Sequence, residues 1–125
     1  MNAMQITQYL HTAILVTQLE KSEYFYGTVL GLTKVDRLLK YPGVWYQVGA
    51  VQVHLIVDLA FTPVLQNPEK MGRNPHLALG VENLEIAQKQ LAAYGYATQM
   101  SASGRAALFT QDPDGNVIEL TEVGN

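Results

Sequence analysis

His11, His54, His76 and Glu119 are the residues in this chain whose types and spacing could do chemistry. His11 and His76 lie 65 positions apart (76 − 11), and so do His54 and Glu119 (119 − 54). The neighbours repeat as well: His11-Thr-Ala-Ile-Leu-Val16 matches His76-Leu-Ala-Leu-Gly-Val81, and Leu19-Glu20 matches Leu84-Glu85. Two independent pairs at one offset indicate a duplicated unit carrying a metal-ligand residue type near each end. All three histidines of the chain are used. Two imidazoles and a carboxylate suit Ni, Zn, Mn or Fe(II) and leave positions open for substrate. We therefore expect a divalent metal at His11, His76 and Glu119. His54 is placed as a fourth ligand, a general base or a polar wall residue.

Any one of these histidines, met alone on a strand, reads as a hydrogen-bonded structural residue. The joint pattern favours the site. Glu119 carries the same message: in Asn116–Val123 the residues alternate as in a strand, which puts Glu119 at its centre with Val117 and Thr121 on its face. A carboxylate in such a place is costly unless it is paired, protonated or bound to a cation.

The elements that must position these residues follow from periodicity and punctuation. Gln5–Val16 alternates as a strand, with His11 and Ala13 on one side and Ile14 and Val16 on the other. Thr17-Gln-Leu-Glu20 resembles a capping box opening a helix to about Leu30, closed by Gly31. Leu32–Lys40 reads as a strand. Val44–Val48 and Val51–Asp58 read as a hairpin around Gly49-Ala50. Residues 59–74, with two prolines, two asparagines and a glycine, read as a linker. A second strand–helix–three-strand run then follows: Pro75–Val81, a helix over Asn83–Tyr94, and strands at Tyr96–Met100, Arg105–Gln111 and Asn116–Val123. Asp112-Pro-Asp-Gly115 is the turn before the last strand.

The predicted fold is α+β. Two βαβββ modules, at about 5–58 and 75–123, form a curved mixed sheet around one cavity. The helices cover one face, and the four ligand-type residues share the other with Trp45 or Tyr46. Glu122 falls on the opposite face from Glu119 and reads as a solvated charge. Arg37, Arg73 and Arg105 read as surface residues.

Composition narrows the function classes. Net charge is −3, from 8 basic and 11 acidic residues, and the basic ones are scattered. That predicts no nucleic-acid footprint and no polybasic membrane patch. No stretch reaches the ~20 apolar residues of a membrane span. There is no cysteine, hence no disulfide and no thiolate chemistry, which is compatible with a reducing cytosol. A cytoplasmic homodimer acting on a small molecule is expected, because two small curved sheets leave edges and apolar surface to cover.

Phe25-Tyr26-Gly-Thr-Val-Leu-Gly-Leu32 and Asp112-Pro-Asp-Gly-Asn-Val-Ile-Glu-Leu120, with the paired βαβββ order, resemble the vicinal-oxygen-chelate superfamily. This superfamily includes glyoxalase I, fosfomycin-resistance enzymes, extradiol dioxygenases, methylmalonyl-CoA epimerase and bleomycin-binding proteins. The resemblance covers nearly the whole chain. It implies that His11 and His76 are metal ligands on the first strand of each module, and that Glu119 is the carboxylate ligand on the last. His54 stands where glyoxalase I has a glutamate and the epimerase a glutamine. The activities implied are a glyoxalase-like lyase or isomerase, in which Glu119 or His54 shuttles a proton next to a carbonyl; an extradiol-type Fe(II) dioxygenase; or metal-free sequestration of a small molecule.

Overall fold

The computed structural model describes residues 3–37 and 40–124. Two four-stranded sheets are built in the same way from the two halves of the chain. In the first half, β1 (His11–Val16) leads into α1 (Leu19–Glu23), which continues as a π-helical stretch over Tyr24–Val29. Then come β2 (Thr33–Val35), β3 (Gly43–Val48) and β4 (Val51–Val57), giving the sheet order β1-β4-β3-β2. The second half supplies β5 (His76–Val81), α2 (Leu84–Ala93), β6 (Gln99–Met100), β7 (Ala107–Gln111) and β8 (Val117–Glu122), in the order β5-β8-β7-β6. In both sheets the first and last strands pair in parallel and all other pairs are antiparallel. This is the α+β class with curved mixed sheets that the periodicity predicted. Among the described residues no helix is long and apolar enough to cross a membrane.

One apolar core spans both halves. Ile14, Val16, Val53 and Leu55 of the first sheet and Leu108, Ile118 and Leu120 of the second meet Phe25, Tyr26, Val29, Leu84 and Leu91 from the helices. Phe25 sits edge-on to Tyr26 and tilted against Tyr96, both at 4.9 Å between ring centroids. Polar bonds reinforce the join. Gln90 Nε2 donates to the Val29 carbonyl at 2.8 Å. The Tyr26 hydroxyl donates to Asp112 Oδ2 at 2.7 Å. Burial, then the adjacent Asp112 carboxylate, pushes the Tyr26 phenol well above its ordinary value, so it stays a neutral donor.

Several local expectations need correcting. The first strand begins at His11, not Gln5, because β4 starts at Val51 and offers nothing to pair with further upstream. Residues 3–10 run without regular structure, leaving Met4 and Ile6 each 86% exposed. The Thr17–Glu20 capping box does not form. Gln18 is the N-cap and its side chain makes no cap bond. Thr17 instead gives both its N–H (3.0 Å) and its hydroxyl to Asp114, across the join between the halves. The strand predicted over Leu32–Lys40 is only Thr33–Val35, and residues 38–39 of that prediction lie outside the described residues. Asn83 does cap α2, accepting from the Ile86 N–H at 2.9 Å. Glu122 is more than a solvated charge: its Oε1 accepts the Leu84 N–H at 2.9 Å, in the first turn of the same helix. Tyr46 belongs to the core at 1% exposure, so Trp45 alone of that pair stands beside His54.

Candidate functional site

Strand register places the four sequence-selected residues in two equivalent settings. In β4, His54 lies between Ala13 of β1 and Trp45 of β3. In β8, Glu119 lies between Ala78 of β5 and Phe109 of β7. Each central residue therefore has a small neighbour on one side and an aromatic one on the other. His11 and His76 occupy the first positions of β1 and β5, on the faces away from Ile14 and Leu77.

The second half brings His76 and Glu119 into direct contact. His76 Nε2 lies 3.0 Å from Glu119 Oε1. The other ring nitrogen, Nδ1, donates to the Asn74 carbonyl at 2.7 Å. Nε2 then faces the carboxylate, and a proton or a cation must lie between the two atoms. An imidazole anchored through one nitrogen to a backbone carbonyl and free at the other is the arrangement of a metal-binding histidine.

Glu119 is nearly buried, at 7% exposure. Burial by itself would raise its carboxyl. The Thr121 hydroxyl, the Arg105 guanidinium at 3.5 Å and His76 outweigh that and hold it below the usual carboxylate range. Glu119 is thus an ionised group at neutral pH, suited to a ligand or base and not to an acid. Arg105 was expected only at the surface. Its side chain is half exposed, yet its charge lies against the site carboxylate. The turn residues on either side of Arg105 carried no sequence pattern that could single it out.

In the first half the rings stack. His54 is sandwiched between Trp45 (4.1 Å between centroids, 6° between planes) and His11 (4.0 Å, 14°). A chain of amides fixes its proton. Gln47 Nε2 donates to the Gly49 carbonyl, Gln52 Nε2 donates to Gln47 Oε1, and His54 Nε2 therefore donates to Gln52 Oε1, each at 2.8 Å. Burial, then His11 and Arg37, lowers the His54 pKa, so its ring is neutral at pH 7 with the lone pair on Nδ1. The lone pairs of an imidazole lie in its plane, and two nearly parallel planes about 4 Å apart do not share an ion. As arranged here, His11 and His54 cannot both bind one metal.

The structure brings the four residues together as two pairs. Among the described residues no group of three or more His, Asp or Glu side chains could hold a metal ion. His76 lines a cleft of about 350 Å³ that runs between Thr12–Leu15 of β1 and Pro75–Leu77 at the start of β5. The β1 end of this cleft is held by Asn116, whose Nδ2 donates to the Leu15 carbonyl at 3.0 Å.

The chain is 28% identical over 129 residues to Glyoxylase I 4 of Arabidopsis thaliana, a match covering 95% of this chain and 72% of that protein. It is 27% identical over 122 residues to the lactoylglutathione lyase of Salmonella typhimurium strain LT2, covering 90% of each. Among solved structures, a glyoxalase/dioxygenase from Nostoc punctiforme superposes with a TM-score of 0.77 at 22% identity, covering 98% of this chain and 97% of that one. The family model matches residues 8–120, a span that holds both pairs and the join between them. The chain belongs to the glyoxalase/bleomycin resistance protein/dioxygenase superfamily.

Proposed function

We propose that this chain is a metal-dependent lyase or isomerase acting on a small substrate with two neighbouring oxygens, and that its centre forms between two copies of the chain. The observation that carries the reading is the His76–Glu119 pair, in which an imidazole anchored through Nδ1 sets Nε2 against an ionised carboxylate. The pair fits a divalent cation in chemistry and falls short in number: two protein donors, where such centres use at least three. His11 of a second copy supplies the third. The exposed apolar residues Met4, Ile6, Tyr9 and Leu10 are surface that such an association would cover. The compartment in this reading is the cytoplasm.

When bound, a divalent ion supplies Lewis-acid stabilisation of negative charge on the two substrate oxygens. The chain's own residues handle the proton. His54, neutral and committed to Gln52 through Nε2, has an unused lone pair on Nδ1. It takes a proton from the carbon beside the carbonyl and returns it to the neighbouring carbon. Trp45 holds the ring flat, and Glu119, kept ionised by Thr121 and Arg105, stays on the cation.

The test is metal uptake by the wild type and by His54→Ala after incubation with Ni, Zn, Mn or Fe(II), with turnover followed in parallel. We expect one ion per chain in both proteins. In the variant we expect turnover lower by roughly 10²-fold or more, the usual contribution of a positioned acid–base group. Loss of the ion in His54→Ala would make His54 a ligand. No uptake by the wild type would make the cavity a metal-free binding site.

A further inference from the structure

The two halves differ just before their first histidines. Asn74 precedes His76 by two residues, and the 65-residue offset maps it onto Tyr9, which precedes His11 by two. Asn74 is 5% exposed, whereas Tyr9 is 60% exposed in the irregular stretch before β1. The His11 ring lies stacked on another side chain, His54, while the His76 ring is bonded to the backbone of Asn74.

The Asn74 side chain closes the turn that leads into β5. Its Oδ1 accepts the Asn67 N–H at 2.9 Å. Its Nδ2 donates toward three carbonyls, those of Asn67 (2.9 Å), Met71 (3.0 Å) and Lys70 (3.3 Å). The Asn74 N–H donates to the Met71 carbonyl at 3.1 Å. Both ends of this buried amide are thus satisfied within one short segment. Gln99 of β6 holds the same segment from the other side. Its Oε1 accepts the Met71 N–H at 2.9 Å, and its Nε2 donates to the Glu69 carbonyl at 2.8 Å. The segment has no strand of its own, only the 3-10 turn at Met71–Arg73, so side-chain amides do the closing that backbone pairing does in a sheet.

That closure fixes one carbonyl, the Asn74 oxygen that accepts from His76 Nδ1 at 2.7 Å. The turn also sets the flank of the ring. Gly72 lies directly against Phe109, where a side-chain carbon would come within 2.6 Å of the aromatic ring. Phe109 in turn meets the His76 ring edge-on at 5.5 Å. The imidazole is therefore held at one nitrogen and along one edge, and both supports come from residues 67–74.

We infer that Asn74 and Gln99 are positioning residues: through the 67–74 turn they fix the direction of the His76 ring, and with it the approach of Nε2 to Glu119. That the ring so fixed is a metal ligand rests on the reading above; the fixing itself does not. His76 is oriented before any cation arrives, whereas His11 owes its orientation to His54.

The experiment follows the His76 ring N–H in the metal-free, full-length protein by proton–nitrogen NMR. Ni and Zn affinities are measured separately on the same variants. The wild type is expected to show an imidazole N–H signal that exchanges slowly with water and is missing in His76→Ala. In Asn74→Ala and in Gln99→Ala the signal should exchange roughly tenfold faster or vanish, as a bonded group does once its local structure opens. Ni or Zn affinity should fall about tenfold in both, the lower end of what changes behind a ligand typically cost. Asn83→Ala, which removes the cap of α2, weakens the fold away from the turn and should leave both readouts unchanged. If Asn74→Ala does not fold, Gln99→Ala decides. Wild-type exchange in a folded Asn74→Ala or Gln99→Ala protein, equal loss in Asn83→Ala, or no slow signal in the wild type would each overturn the assignment. A wild-type protein that takes up neither Ni nor Zn counts against the metal-dependent reading alone, since the N–H readout is made without metal.

Discussion

Replacing Glu119 by Gln is expected to remove the bound metal and, with it, essentially all turnover. The substitution keeps the shape of the side chain and deletes its charge. That charge is held ionised by Thr121, Arg105 and His76 in a nearly buried position, so its loss is not compensated by solvent. Changes one step removed from a metal typically cost about 10–100-fold in affinity, and a lost ligand should cost at least that. Rate should fall further, by roughly 10²–10⁴-fold, if the carboxylate also orients the reacting oxygens. Folding should survive, because Glu119 lies on the sheet face opposite the core residues Ile118 and Leu120, which are untouched. Equilibrium dialysis against Ni or Zn, with circular dichroism on the same protein, checks both statements. A Glu119→Gln protein that keeps its metal at wild-type affinity would place the centre elsewhere.

The second large effect concerns stability. Asp112 is 4% exposed and accepts four hydrogen bonds: from the Tyr26 hydroxyl (2.7 Å), the Asp114 and Asn116 N–H groups (2.9 Å each) and Asn116 Nδ2 (2.8 Å). Through Tyr26 it bonds the first helix to the turn before β8, and through Asn116 it orients the bond to β1. Asp112→Ala takes the acceptor from the fully buried Tyr26 hydroxyl and from the Asp114 and Asn116 N–H groups, while Asn116 Nδ2 keeps the Leu15 carbonyl. Each such orphaned group costs about 1–3 kcal/mol. A total loss of about 3 kcal/mol or more is expected, equivalent to a drop in Tm of roughly 10 °C in a domain of this size. Thermal unfolding followed by far-UV circular dichroism measures it, and a change of less than about 2 °C would show that the latch between the halves lies in the apolar contacts alone.

Much of this architecture was legible in the sequence because it is repeated. The 65-residue offset fixed which residues correspond, and the strand register agrees: His54 and Glu119 hold equivalent positions in the two sheets, beside Ala13 and Ala78. Gly31 and Gly95 end the helical stretches with φ of +76° and +85°, as helix-terminating glycines should. What could not be read was contact between halves. Thr17 looks like a local cap, and Asp112 and Asp114 look like local turn formers, since each is well suited to such short-range bonds. Asp112 does make its local turn bonds, accepting from the Asp114 and Asn116 N–H groups, and accepts from Tyr26 as well, while Thr17 is given to Asp114. Arg105, in a turn with no periodic pattern, gained its role only once β7 and β8 were paired. The stacking of His11 on His54 depends on ring rotation, which residue spacing does not encode.

The centre we propose is completed by a second copy, with His11 of one chain meeting His76 and Glu119 of the other. Its most direct test is to co-purify a heterodimer of His11→Ala and His76→Ala chains carrying different affinity tags. Each variant alone should bind no metal. In the mixed dimer one of the two centres would combine the intact His11 of one chain with the intact His76 of the other. The heterodimer is expected to recover one ion, half the wild-type content, together with half the wild-type turnover. A mixed dimer as empty as its parents, or a wild-type chain that is monomeric and fully metal-loaded, would contradict it.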